Sequence, residues 1–177
     1  MRHRRDTSAF SEFVEHRSHA LLRTAYLLVG DHQLAEDLLQ EALIKTLIAW
    51  PRLRDQTKVD AYARRTIVTT AISWRRRRSF HERPTDVRPD ALVRADEVES
   101  LATHQVLVAH LRGLPPRQRA AIVLRYYEDL SVAQTAELMG CSSGAVKSHV
   151  SIGLGKLRER MGPAFDLVPT GEEGLTS

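Results

Sequence analysis

The sequence predicts an all-α fold of two small helical modules joined by a flexible linker. Three observations carry this reading. Apolar residues recur at three- and four-residue spacing along most of the chain, and strand-type alternation is scarce. Residues 79–98 then break the rhythm, with Pro84 and Pro89 set among Glu82, Asp86, Asp90, Asp96 and Glu97. A length of 177 residues suits one medium domain or two small ones. With 42% apolar but only 6% aromatic residues, each core must be small and aliphatic.

The elements follow in order. Phe10, Phe13, Val14, Leu21, Ala25 and Leu28 trace one helix that Gly30 ends. Asp31 can cap a second helix carrying Leu34, Leu38, Ala42, Leu47 and Trp50, closed by Pro51. A loop from Arg52 to Lys58 leads into a third helix through Val59, Tyr62, Ala63, Ile67, Ile72 and Trp74, which runs into Arg75-Arg76-Arg77-Arg78. Beyond the linker, Val106, Val108 and Leu111 begin the second module. Leu114-Pro115-Pro116 interrupts it, with the prolines well placed to start a helix carrying Ala121, Leu124 and Tyr127. Residues 131–150 have the layout of a helix-turn-helix. Ser131 and Gln134 make a capping box, Ala136 is small where helices cross, Gly140 supplies the turn, Ser142 caps the second helix, and Val146 and Val150 face inward. The last residues, from Pro163 to Ser177, are small and acidic, and are expected to fray.

Charge is distributed unevenly. The net charge is only +4, but residues 52–78 hold nine basic and two acidic groups, while residues 31–51 hold four acidic and one basic. Two different partners are implied, one polyanionic and one basic. The single cysteine, Cys141, cannot form an internal disulfide or a cysteine-based zinc cluster. No apolar run approaches a membrane span, and no apolar signal core follows the charged N-terminus, so a cytoplasmic protein without a membrane partner is expected. Eight scattered histidines lack metal-ligand spacing and no Gly-rich phosphate loop is present, so neither an enzyme nor a bound metal or cofactor is expected.

Three constellations are candidates for binding. In the helix-turn-helix the outward positions are Ser143, Gly144, Lys147, Ser148 and Ser151, able to enter a major groove and reach phosphates or base edges. Arg117, Arg119, Arg125, Lys156, Arg158 and Arg160 flank them and could neutralise phosphates. The same spacing also occurs in plain helical hairpins. In the third helix Tyr62, Arg64, Arg65, Thr66, Thr69, Thr70 and Trp74 precede the four arginines. Aromatics stacking on bases beside arginines on the backbone is a single-strand pattern, although Trp74 fits a core as well and the run could merely aid solubility. In the second helix Asp37, Gln40 and Glu41 form one polar stripe, either a solvated face or a docking surface for a basic protein.

Taken together, these residues resemble a family. Leu34-Ala35-Glu36-Asp37-Leu38-Leu39-Gln40-Glu41-Ala42, the Tyr62 helix ending in arginines, Leu114-Pro115-Pro116-Arg117-Gln118-Arg119, Tyr126-Tyr127-Glu128-Asp129-Leu130-Ser131 and Gly144-Ala145-Val146-Lys147-Ser148 are similar to the extracytoplasmic-function (ECF) sigma factors of the sigma-70 family, nearest the actinobacterial SigE-type group. The resemblance spans roughly residues 8–161 in the family's order.

It implies an alternative sigma factor that binds core RNA polymerase and directs initiation at promoter DNA. Residues 8–78 correspond to sigma domain two, 79–98 to the linker, 99–161 to sigma domain four and 162–177 to a disordered tail. Asp37, Gln40 and Glu41 would dock on the β′ clamp helices, and the second module on the β flap. Arg52, Arg54, Lys58, Tyr62, Arg65, Thr69, Arg75 and Arg76 would read and hold the melted −10 strand. Ser143, Gly144, Lys147, Ser148, Ser151 and Arg119 would read the −35 duplex. The linker would thread toward the RNA exit path, and an anti-sigma protein is a further partner that family members often have.

The chain departs from the family pattern at His149, where Arg is commoner, at Gln134, and at Thr69, Thr70 and Ser73. A contact at His149 is therefore expected to be weaker or pH-dependent. The rival readings are a freestanding helix-turn-helix regulator, which leaves the acidic stripe without a role, and a helical adaptor with no DNA affinity. Cys141, in the turn, reads as a packing residue.

Overall fold

In a computed structural model the described residues, 2–53, 55–78 and 106–167, are helices and short connections with no strand among them. The chain divides into two compact units, Met1–Asp90 and Ala91–Ser177. The expected linker, 79–98, lies outside the described residues, as do Arg54 and everything beyond 167. No helix among the described residues is long and apolar enough to cross a membrane.

The first unit is three helices, each packed on the other two: α1 (Arg2–Val29), α2 (His32–Ala49) and α3 (Gln56–Arg78). Helix α1 begins earlier than the apolar rhythm does, because arginine and alanine propagate a helix with little cost. It stops at Gly30, whose φ of 73° suits a residue without Cβ. The Asp31 carboxylate then accepts from the Leu34 N–H at 2.9 Å and starts α2. Leu21, Ala25, Ala35, Leu38, Ala42, Val59, Ala63 and Ile67 fill the core. At the far end of α2 the expected core residue Leu47 is 48% exposed. It lies five residues beyond Ala42, about 140° round the helix from it, and Thr46 takes the inward place with its hydroxyl donating to the Ala42 carbonyl at 2.7 Å.

A 3-10 turn, Trp50–Arg52, links α2 to α3. The Asp55 carboxylate accepts from the Thr57 N–H at 3.0 Å and the Thr57 hydroxyl at 2.8 Å, which sets the first turn of α3. Those two bonds hold the Asp55 carboxyl below its usual range. Arg17 and Arg64 both bind Asp60, at 2.7 and 2.8 Å, fixing α1 against α3. The three side chains are part exposed, so the cluster contributes orientation more than stability.

The second unit begins with α4 (residues 106–112). Val108, Leu111 and Leu114 are buried, whereas the expected core residue Val106 is exposed, on the opposite side of the helix from Val108. Helix α5 (Pro116–Ile122) continues as a π turn, Val123–Tyr127, in which the Glu128 N–H donates to the Val123 carbonyl at 3.0 Å. The wider turn shifts the helical phase, so Tyr127, expected inside, stands exposed. Arg125 donates to the Leu130 carbonyl across the reversal at Asp129, whose φ is 50°.

Helices α6 (Val132–Met139) and α7 (Ser143–Met161) follow with the expected caps. Gln134 N–H donates to Ser131 Oγ at 3.1 Å and Ser131 N–H to Gln134 Oε1 at 2.8 Å, so Gln134 completes the capping box that a Glu would. Gly140 is left-handed, and the Cys141 N–H reaches back to the Ala136 carbonyl at 3.0 Å, closing the turn as a Schellman motif. Of the segment expected to fray, residues 163–167 are described and are helical, and the rest lies outside the described residues. Gly162–Leu167 makes a 3-10 turn that buries Phe165, with the Arg158 guanidinium 4.8 Å above its ring.

Helix α7 crosses α5 at Gly153, where an added Cβ would lie 2.7 Å from Ile122 Cδ1; at Gly155 it would meet nothing within 4 Å. Gly153→Ala is therefore expected to lower stability by about 1–3 kcal/mol through overpacking. Gly155→Ala is expected to raise it by up to about 1 kcal/mol through helix propensity. Urea unfolding followed by circular dichroism separates the two.

Candidate functional site

Three outward faces carry the chemistry. On α2, Asp37 and Gln40 are exposed and Glu41 is half-buried, with its carboxylate 2.6 Å from Lys45 Nζ. An exposed i, i+4 pair of this kind is worth a few tenths of a kcal/mol and is readily exchanged for another cation. The same face continues beyond the acids into apolar residues. Ile44 is 59% exposed and Ile48 is 74% exposed, with Leu47 beside them. Positions 37, 40, 41, 44 and 48 follow a spacing of three, four, seven and eleven, so one stripe is acidic at its N-terminal half and apolar at its C-terminal half. Ile44 and Ile48 go unassigned in the sequence, because an apolar residue next to a core helix looks like core until the buried set is known.

On α3, Lys58, Tyr62, Arg65 and Thr69 follow the same spacing and form one outward stripe. Lys58, Arg65 and Thr69 are exposed and Tyr62 is half-buried, while Val59, Ala63, Ile67 and Thr70 face the core. Lys58, expected in the loop, lies in the first turn of the helix, because α3 already starts at Gln56. Arg52 is exposed on the 3-10 turn. The Thr69 hydroxyl donates to the Arg65 carbonyl at 2.8 Å, leaving its methyl and lone pairs toward solvent. Arg64 is set aside from this face by Asp60. Trp74 is half-buried and lies seven residues after Ile67, on the core side. The backbone of Arg75 and Arg76 continues the helix, and Arg54 lies outside the described residues.

On α7, Ser143, Gly144, Lys147, Ser148 and Ser151 are all exposed, opposite buried Val146, Val150 and Leu157. The Ser142 hydroxyl accepts from the Ala145 N–H at 3.1 Å. The remaining amides of the first turn, with the positive end of the helix dipole, favour an anion such as a phosphate.

Arg119 does not join this face. It is 0% exposed, and its Nη2 donates to the Arg112 carbonyl at 2.6 Å and the Leu114 carbonyl at 3.1 Å. Helix α4 ends with carbonyls that need donors, and Pro115 and Pro116 have no N–H to offer. Arg119 supplies the donors from the next helix, and its charge suits the negative end of α4.

Residues 13–81 match the family Sigma-70 region 2, and residues 104–157 match Sigma-70, region 4. The RNA polymerase sigma-E factor of Streptomyces avermitilis is 42% identical over 152 residues, covering 86% of this chain and 84% of that protein. The sigma-E factor of Streptomyces coelicolor is 40% identical over the same length, covering 86% and 85%. The ECF RNA polymerase sigma factor SigM of Mycobacterium tuberculosis is 28% identical over 157 residues, covering 89% of this chain and 79% of that one. Among solved structures, the sigma factor RpoE of Bartonella quintana, in complex with the anti-sigma factor NepR, superposes with a TM-score of 0.68 at 23% identity. That match covers 92% of this chain and 99% of the other, and it establishes the fold.

His149, where a weakened or pH-dependent contact was expected, sits off the outward stripe of α7 and is half-buried. Burial and then the Arg117 charge hold its pKa below the ordinary 6.5. A depressed histidine favours the folded state fully above the unfolded pKa and loses that contribution as pH falls through the folded one. Thermal melts of the full chain should therefore fall in Tm as pH drops below 6.5. His149→Gln should flatten that slope, and equal slopes in the two proteins would show that His149 does not carry it.

Proposed function

The chain belongs to the sigma-70 family of RNA polymerase sigma factors, in its ECF group, and we propose how its three faces divide the work of an alternative sigma factor that directs promoter-specific initiation. The observation that carries the proposal is the opposed chemistry of α2 and α3 within one unit. A phosphate strand is repelled by the acids of α2 and attracted by Lys58, Arg65 and Arg52. The α2 face therefore belongs to a protein, and the α3 face to nucleic acid.

On this reading α2 docks on the β′ clamp helices of core polymerase through Asp37, Gln40 and Glu41, with Ile44 and Ile48 extending the contact. Burying isolated acids would cost desolvation, whereas an acidic half beside an apolar half lets charge steer the encounter and apolar area hold it. Arg52, Arg54, Lys58, Tyr62, Arg65, Thr69, Arg75 and Arg76 take the opened −10 strand. Cations neutralise its backbone, and Tyr62 offers a ring edge or face to a base that has left the stack. Ser143, Gly144, Lys147, Ser148 and Ser151 read the −35 duplex, and the second unit seats on the β flap. Residues 8–78 and 99–161 are the two working parts, joined through 79–98, with 162–177 as a tail. The protein works in the cytoplasm, performs no chemistry of its own, and is open to restraint by an anti-sigma protein competing for the α2 face.

A reading surface of serines, a glycine and one lysine offers few base contacts, each good bidentate pair being worth about 1–3 kcal/mol. The free protein should therefore bind promoters weakly and gain specificity only on polymerase, where two short elements are held at fixed spacing. Stoichiometric co-purification with bacterial core RNA polymerase is expected. It should be lost when Asp37 and Glu41 are both replaced by Arg, and weakened at least ~10-fold by Ile48→Glu, each with an unchanged circular dichroism spectrum. Salt-sensitive duplex binding without any polymerase binding would make this a freestanding regulator instead. Separately, Lys147→Ala should lower −35-dependent initiation ~5-fold or more in run-off transcription while leaving the affinity for core unchanged. Loss of core affinity in that variant would place the interface elsewhere.

A further inference from the structure

The turn between the polymerase-facing helix and the −10-facing helix is held by an aromatic cluster that neither face uses. Trp50 closes α2, its N–H donating to the Leu47 carbonyl, and opens the 3-10 turn Trp50–Arg52. Its indole meets Phe10 edge-on, with ring centroids 5.1 Å apart and planes at 89°, and lies 5.8 Å from Phe13. Phe10 and Phe13 are 6.4 Å apart on α1. Three rings thus meet at one point, although the whole chain has only ten aromatic residues, four Phe, four Tyr and two Trp.

The connection beyond Trp50 is short and pinned at both ends. The Leu53 N–H donates to the Trp50 carbonyl at 3.1 Å, Leu53 is half-buried, and the Asp55 carboxylate starts α3 two residues later. Pro51 fixes one further backbone angle. Edge-to-face packing adds about 0.5–1.5 kcal/mol per pair beyond area burial, and it also fixes ring orientation, which aliphatic contact does not. A tilt of Trp50 would therefore carry Arg52 and the first turn of α3, with Lys58, along with it.

We infer that Phe10, Phe13 and Trp50 form a positioning clamp that sets where Arg52 and the start of α3 meet the −10 strand, so that two phenylalanines of α1 govern base discrimination without touching DNA. The inference rests on the −10 role proposed above for α3. Recognition of an extruded base depends on a pre-formed site, and a displacement of about 1 Å can cost orders of magnitude in a positioned reaction. Core docking makes no such demand on the turn, because the α2 stripe ends at Ile48, before Trp50.

The test uses full-length protein on core polymerase. Wild-type holoenzyme first selects a promoter from a library randomised over the −35 and −10 elements. Run-off transcription then measures every base at each −10 position for wild type, Trp50→Leu, Trp50→Phe and Phe10→Leu. Ile67→Val, a fully buried substitution elsewhere in the same core, serves as the stability control. Trp50→Leu is expected to reduce the ratio between best and worst −10 base ~10-fold, with the Kd for core changed less than ~2-fold. Phe10→Leu should follow in the same direction, Trp50→Phe should retain most of the discrimination, and Ile67→Val all of it. An unchanged profile in Trp50→Leu and Phe10→Leu, or equal loss in Ile67→Val, overturns the clamp. A wild-type holoenzyme that selects no −10 sequence overturns the proposed function itself, which is a separate result.

Discussion

The helix boundaries at Gly30, Asp31, Asp55, Gly140 and Ser142 are set by a side chain or a left-handed residue that takes over the end groups, and the outward faces of α2, α3 and α7 follow from where those boundaries fall. Gly30 and Asp31 fix the start of α2, and with it the side of the helix on which Asp37 emerges. Asp55 does the same for α3, and Ser142 for α7. A start displaced by one residue would turn each stripe by about 100° and present core residues to the partner. Arg119 belongs to the same system. A fully buried guanidinium is costly unless its hydrogen bonds are met, and here it meets carbonyls that two prolines leave without donors. The second unit is therefore organised around a cation that never reaches the surface.

The partition of charge has a physical logic beyond pairing each face with its partner. The acids of α2 and the cations of α3 belong to one small unit, so under the proposed division each face would also screen out the wrong ligand. Nucleic acid that slid from α3 toward α2 would meet Asp37 and Glu41, and a basic protein surface approaching α3 would meet Lys58 and Arg65. Like-charge contacts of this kind contribute specificity more reliably than affinity. The apolar half of α2 then supplies what the charges do not, since exposed ion pairs alone are weak and salt-sensitive.

Much of this was legible in the residues. The stop at Gly30, the caps at Asp31, Ser131 and Ser142, the left-handed Gly140 and the outward set on α7 are local matters, each decided within four residues of chain, and they stand as read. What escaped was decided by packing. Leu47 and Val106 have the right chemistry for a core but the wrong phase. Tyr127 is turned out by a π turn that no local spacing announces. Arg119 looked like one more phosphate contact among six basic flanks, because charge density says nothing about which cation is turned inward. Phe165 escaped for the opposite reason. A single aromatic in a polar, Gly-containing tail gives no periodic signal, yet it caps the end of α7 beneath Arg158.

The crossing of α5 and α7 at Gly153 ties two positions together through time as well as space. Ile122 Cδ1 occupies the volume that any larger residue at 153 would need. A lineage that acquires alanine or serine at 153 must move the Ile122 terminal methyl aside, or accept a shorter side chain at 122. A lineage that shortens 122 alone opens a void that favours refilling from 153. The two sites are thus coupled in the sense of a double-mutant cycle. A change at either position is therefore felt at the other, whereas the exposed residues of α7 carry no such tie to the core.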